Sequence, residues 1–99
     1  MQLIWTELAL DDYDNCINYL EKYFSEKVVK DFLFMLEKNC SLILQNPTTF
    51  PLTGIENTRT ILIIPEVSIF YSIKNENEIL IIRIWNNRKN KKNLLKGSK

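Results

Sequence analysis

The stretch TRTILIIPEVSIFYSIKNENEILIIRIW, Thr58 to Trp85, holds three apolar runs separated by short polar breaks. Thr58 to Pro65, Val67 to Ile73 and Glu78 to Trp85 each have strand length and are rich in β-branched and aromatic residues. Pro65-Glu66 and Lys74-Asn75-Glu76-Asn77 supply the turns, so the runs should pair as an antiparallel meander. In the middle run Ile69, Tyr71 and Ile73 share one face, and Ser68, Phe70 and Ser72 the other.

Upstream the period changes from two to between three and four. Ala9, Tyr13, Cys16, Ile17, Leu20 and Phe24 recur at helical steps, with Thr6 as N-cap and Glu7 in the first turn. Val29, Phe32, Leu33, Leu36, Cys40, Ile43 and Leu44 repeat the pattern behind Ser25, a second cap. Pro47 ends that helix, because a residue before proline is pushed out of the helical region. The two helices, joined by about two residues, form an antiparallel hairpin. Met1 to Trp5 is too short for a helix and reads as a strand; Thr48 to Asn57, with Pro51 and Gly54, reads as a loop. Helices followed by strands argue for an α+β fold in which an N-terminal strand and the hairpin pack on an antiparallel sheet. Residues 1–93 are read as one domain and 94–99 as a disordered basic tail.

The chain is electrically two-sided. Residues 1–57 carry nine acids against four lysines, and residues 58–99 carry nine bases against three acids. There is no histidine, which removes the commonest general base and metal ligand. Cys16 and Cys40 lack zinc-site spacing and read as reduced packing residues. Asp11, Asp12 and Asp14 are splayed by helical spacing and read as a solvated face rather than a metal cluster. No metal or other cofactor is expected. No apolar run reaches the roughly 18 residues of a membrane span, and no signal peptide is evident, so the expected location is the cytoplasm.

Candidate binding residues lie in and after the strands. Arg59 and Arg83 stand within runs; Arg88 and Lys89 follow the last one. The planar fork of an arginine suits phosphate or carboxylate, and Arg88 is the most direct candidate because it leaves an ordered strand. Trp85 and Tyr71 could stack on bases, although Ile and Phe neighbours also suit them to the core or rim.

The order of elements, with the segments IWTELALDDYDNCINYL, NPTTFP, TRTILIIPEVSIFYSI and EILIIRIWNNRKN, resembles the RelE/ParE superfamily of bacterial type II toxin–antitoxin toxins over about residues 3–93. That resemblance implies a helical hairpin on an antiparallel sheet and a cognate antitoxin protein as partner. It also implies one of two targets: the ribosome and its mRNA, cut by RelE-like endoribonucleases, or DNA gyrase, poisoned by ParE-like members.

A RelE-like ribonuclease places basic residues on the first meander strand, an arginine on the second, an arginine after the last and commonly a tyrosine in the tail. Arg59 and Arg88 fill two of these positions and are the catalytic candidates under that reading. Ile61, Ser68 and Leu94 stand where the others would be. Cleavage through a 2′-hydroxyl needs a base, an acid and charge for the transition state; the arginines supply only charge. The preferred expectation is therefore a ParE-like growth inhibitor acting on gyrase without catalysis. Its target- or antitoxin-binding residues would be Arg59, Arg83, Trp85, Arg88 and Lys89. The alternatives are a RelE-like ribonuclease and an inactive homologue serving as a binding module.

Overall fold

Thr6 decides where the first strand stops and the first helix starts. In the computed structural model, which describes residues 1–89, Thr6 is extended (φ −70°, ψ 161°) and its hydroxyl oxygen accepts from the Ala9 amide at 3.1 Å. One of the amides that a helix start leaves without a partner is thereby satisfied. Strand β1 is Gln2–Trp5 and helix α1 is Glu7–Tyr23. Ser25 repeats the device at 3.3 Å for helix α2, Glu26–Gln45. Asn46 donates to the Leu42 carbonyl at 3.0 Å, and Pro47 allows no further turn.

The meander forms as its runs imply, with β2 at Arg59–Ile64, β3 at Val67–Asn75 and β4 at Glu78–Asn86. Both of its pairings are antiparallel. Strand β1 adds to the outside of β4 in parallel, so the sheet order is β1-β4-β3-β2 and the whole sheet is mixed. No local pattern in the first residues announces that pairing. In the loop before β2 the left-handed position is Asn57, at φ 52°, a conformation asparagine tolerates better than most residues.

One irregularity in β4 sets the faces of the sheet. Phe70 pairs with Arg83 and Tyr71 with Ile81, which leaves Ile82 as an extra residue in the ladder, a β-bulge. Strict alternation from Ile79 and Ile81 would drive Arg83 towards the helices. The bulge shifts the phase, so Ile84 enters the core with Ile79 and Ile81 instead. Trp85 turns to the opposite face, where it packs with Phe70 and Ile55.

The main core lies between the helices and the sheet. Leu20, Phe32, Ile43, Ile69, Tyr71, Ile79 and Ile81 are each 0% exposed there. Trp5 meets Tyr13 edge-on at 6.0 Å, and Tyr13 reaches Phe32 at 6.3 Å, tying β1 to both helices. Cys16 and Cys40 are unbridged packing residues, as their spacing implies. Among the described residues no helix is long and apolar enough to cross a membrane. The basic tail expected over 94–99 lies outside the described residues, and so does Leu94.

Thr6 does more than cap a helix, because its hydroxyl also donates to the Ile82 carbonyl at 2.9 Å and its amide to the Ile81 carbonyl at 3.2 Å. Thr6→Ala removes the cap and leaves the bulge carbonyl without a donor, so it should cost about 2 kcal/mol. Ser25→Ala, at an exposed cap, should cost about 1 kcal/mol. Urea unfolding of the two variants checks the order; equal losses would mean that the Ile82 bond contributes nothing.

Candidate functional site

Strand β1 ends opposite Ile81, so among the described residues no strand covers the edge of β4 beyond it. Thr6 fills the first gap through its bonds to Ile81 and Ile82. Asp12, one turn and a half into α1, fills the next: its Oδ2 accepts from the Ile84 amide at 3.1 Å. The same carboxylate grips Arg83 in a fork, with Nε to Oδ2 at 2.7 Å and Nη2 to Oδ1 at 2.8 Å. Both side chains are withdrawn from solvent, 7% exposed for Arg83 and 11% for Asp12. The carboxylate holds the Arg83 pKa above its ordinary value, against the opposing effect of burial. The solvated row expected for Asp11, Asp12 and Asp14 is therefore broken at its middle member.

Trp85 extends this cluster on the far face of the sheet. Its ring lies 5.0 Å from the Arg83 guanidinium, and its indole N–H donates to the Lys89 carbonyl at 3.4 Å. At 3% exposure the ring offers no stacking surface to a base. Arg83 and Trp85 thus brace the end of β4 from within the protein.

Arg88 and Lys89 are exposed just beyond that brace. The Arg88 amide donates to Asn86 Oδ1 at 2.9 Å and the Lys89 amide to the Asn86 carbonyl at 2.9 Å, which fixes the turn out of the strand. The Arg88 guanidinium bonds the Tyr19 hydroxyl through Nη1 and lies 5.6 Å from the centre of that ring. Tyr19 was not among the candidates the sequence offered. A cleft of about 190 Å³ opens beside it, lined by Asn15, Cys16, Asn86 and Lys89 among others. Burial, with Asp12 adding to it, pushes the Cys16 thiol up to about 11, so the thiolate is scarce at neutral pH.

Arg59 belongs to another corner. Its Nη1 donates to the Thr48 carbonyl at 3.0 Å and the Phe50 carbonyl at 2.7 Å, and Tyr71 beside it donates to the Pro47 carbonyl at 2.6 Å. Together they pin the loop between α2 and β2. Arg59 pairs with Tyr71, and Tyr71 with Ile81, so Arg59 is level with Ile81 on β4. Strand β4 runs five residues beyond Ile81 to Asn86 before the turn that carries Arg88, which sets the Arg88 backbone roughly 15 Å or more from the level of Arg59 along the strand direction and two strands away across the sheet. The structure does not bring them together.

The remaining positions are structural in their contacts. Ile61 is 8% exposed in the main core. Ser68 donates to Asn87 Oδ1 at 3.0 Å. Among the described residues no group of histidine, cysteine and carboxylate side chains could hold a metal ion.

Comparison with known proteins adds to this geometry. The family model described as the ParE toxin of the type II toxin–antitoxin system parDE matches residues 3–91. A solved structure described as a chromosomal ParDE toxin–antitoxin system from P. aeruginosa superposes with a TM-score of 0.71 at 19% identity, over 87% of this chain and 95% of that one. A copper-bound mutant toxin from Helicobacter pylori superposes with a TM-score of 0.50 at 22% identity, over 89% of this chain and 96% of that one. No curated protein matches the chain in sequence.

The Asp12 cluster makes a sharp energetic forecast. Asp12→Ala takes the carboxylate from a buried guanidinium and the acceptor from the Ile84 amide, and should cost about 3–5 kcal/mol in urea unfolding. Asp12→Leu with Arg83→Met removes both charges and should recover most of that loss. A deficit of about 1–3 kcal/mol should persist, because the Ile84 amide still lacks its acceptor. Full recovery in the double variant would show that the edge amide does not matter.

Proposed function

The chain belongs to the ParE toxin family of type II toxin–antitoxin systems, and from that premise we propose that it arrests growth by gripping DNA gyrase, without catalysis of its own. A cognate antitoxin is its neutralising partner. Gyrase places the action in the cytoplasm.

The observation that carries this reading is the separation of Arg59 from Arg88. A ribonuclease site needs its charges and proton-transfer groups around one phosphate. Here Arg59 is committed to the Thr48 and Phe50 carbonyls, and Arg88, on another part of the molecule, to Tyr19. Two of the side chains that could move protons are withdrawn from the surface. The Tyr71 phenol, its pKa raised by burial against the lowering effect of Arg59, donates to the Pro47 carbonyl. Burial pushes the Cys40 thiol up to about 11. There is no histidine. A binder needs none of this chemistry; it needs an exposed, ordered surface, and Arg88 and Lys89 stand on one. Arg83 and Trp85 support that surface from behind, and Arg59 fixes a loop elsewhere.

The purified toxin should inhibit supercoiling of relaxed plasmid by bacterial gyrase and leave mRNA 5′ ends unchanged in a translating extract. Codon-phased cleavage with unimpaired supercoiling would overturn the proposal in favour of a ribonuclease. No effect in either assay, with growth unaffected on induction, would mark an inactive binding module.

A further inference from the structure

The carboxyl end of α1 carries an aromatic cluster that the reading above leaves without a role. Tyr19 packs on Tyr23 at 5.0 Å and on Phe24 at 5.9 Å, with Arg88 on its ring and hydroxyl. Lys22 lies 5.3 Å from the centre of the Tyr23 ring. Burial does not explain the outer members: Tyr23 is 60% exposed and Phe24 42%. We propose that Tyr23, Phe24 and Arg88, arranged around Tyr19, form the surface that seats an acidic, apolar-anchored segment of the target protein. This rests on the gyrase reading and names the part of the toxin that makes the contact.

The chemistry of the patch selects the occupant. Arg88 uses Nη1 on the phenol, while its Nε and Nη2 have no acceptor among the described residues, an arrangement that suits a carboxylate approaching the fork. Tyr23 and Phe24 offer flat apolar area at little conformational cost, because their neighbours already hold them. A partner side chain of the Leu, Met or Phe kind would cover them, with an Asp or Glu beside it reaching Arg88. Lys22 and Lys89 add positive charge at the rim, which sets approach and register more than affinity.

A nucleic acid fits less well. Asp11, Asp14 and Glu21 lie on the outer stripe of α1, turned away from Tyr19 and Tyr23, so the patch itself presents aromatic rings with Arg88, Lys22 and Lys89 about them, and Glu26 opens α2 two residues beyond Phe24. A phosphate backbone repeats its charge along its whole length and would meet few cations here among the described residues. A protein segment carries its acid at one point.

The test measures binding of the toxin to gyrase holoenzyme by surface plasmon resonance, alongside supercoiling inhibition. The double variant Tyr23→Ser with Phe24→Ser, and separately Arg88→Glu, should each weaken binding about tenfold or more, with unchanged circular dichroism. Leu62→Ser, at an exposed position on β2, two strands from β4 and on the sheet face away from the helices, should bind like the unaltered toxin. If the unaltered toxin binds and inhibits gyrase but the patch variants do so equally well, this inference fails and the gyrase reading stands. If the unaltered toxin does not bind gyrase, both fall. If it binds a fluorescein-labelled DNA oligonucleotide by itself and the same variants lose that binding, the patch is a nucleic-acid site and the inference is overturned.

Discussion

A single carboxylate decides how the first helix sits on the sheet. Strand β1 is four residues long and, among the described residues, no strand takes over from it along the second half of β4. An open edge exposes backbone groups that must find partners or water. Asp12 supplies an acceptor for the Ile84 amide and, through the Arg83 fork, neutralises the charge it introduces. Because both groups are withdrawn from solvent, each depends on the other: removing one charge of a buried pair costs more than the pair contributes. The helix is therefore fixed in register as well as in place.

The consequences reach the surface. Tyr19 follows Asp12 by seven residues, two helical turns on the same side of α1 and about 10 Å along its axis. That rise brings the phenol to the point where the chain leaves β4 and presents Arg88. The bulge at Ile82 is the necessary complement, since it delivers Arg83 to the edge and Ile84 to the core. Without it the sequence Ile81-Ile82-Arg83-Ile84-Trp85 would place a cation and an indole under the helices. One residue of excess in the ladder thus separates the groups that support the surface from the groups that fill the core.

Much of this was legible in the sequence and some was not, for physical reasons. Periods of two and between three and four residues are local signals, and they located both helices, their caps at Thr6 and Ser25 and all three meander strands. The parallel pairing of β1 with β4 joins residues more than seventy positions apart and leaves no local trace. The pairing of Asp12 with Arg83 is of the same kind, yet it had a clue. Asp12 lies three residues after Ala9 and four before Cys16, on the apolar stripe and not beside it, and Arg83 interrupts an otherwise apolar strand. An acid and a base, each out of place on a buried face, are candidates for each other. Tyr19 carried no such clue, because a tyrosine at a helix border serves core and surface equally well.

The roles of the three arginines also correct a simple reading of charge. The second half of the chain is rich in bases, but Arg59 is absorbed by loop carbonyls and Arg83 by Asp12. Both uses depend on a planar fork that a lysine ammonium does not offer. Among the described residues, the cations presented at the end of β4 are Arg88 and Lys89, with Lys22 across from them on α1. A surface with so little concentrated charge gains less from long-range steering than from contact, since exposed ion pairs contribute little in salt. What remains to provide affinity is apolar area held rigid, and at this end of the molecule that area is supplied by Tyr23 and Phe24.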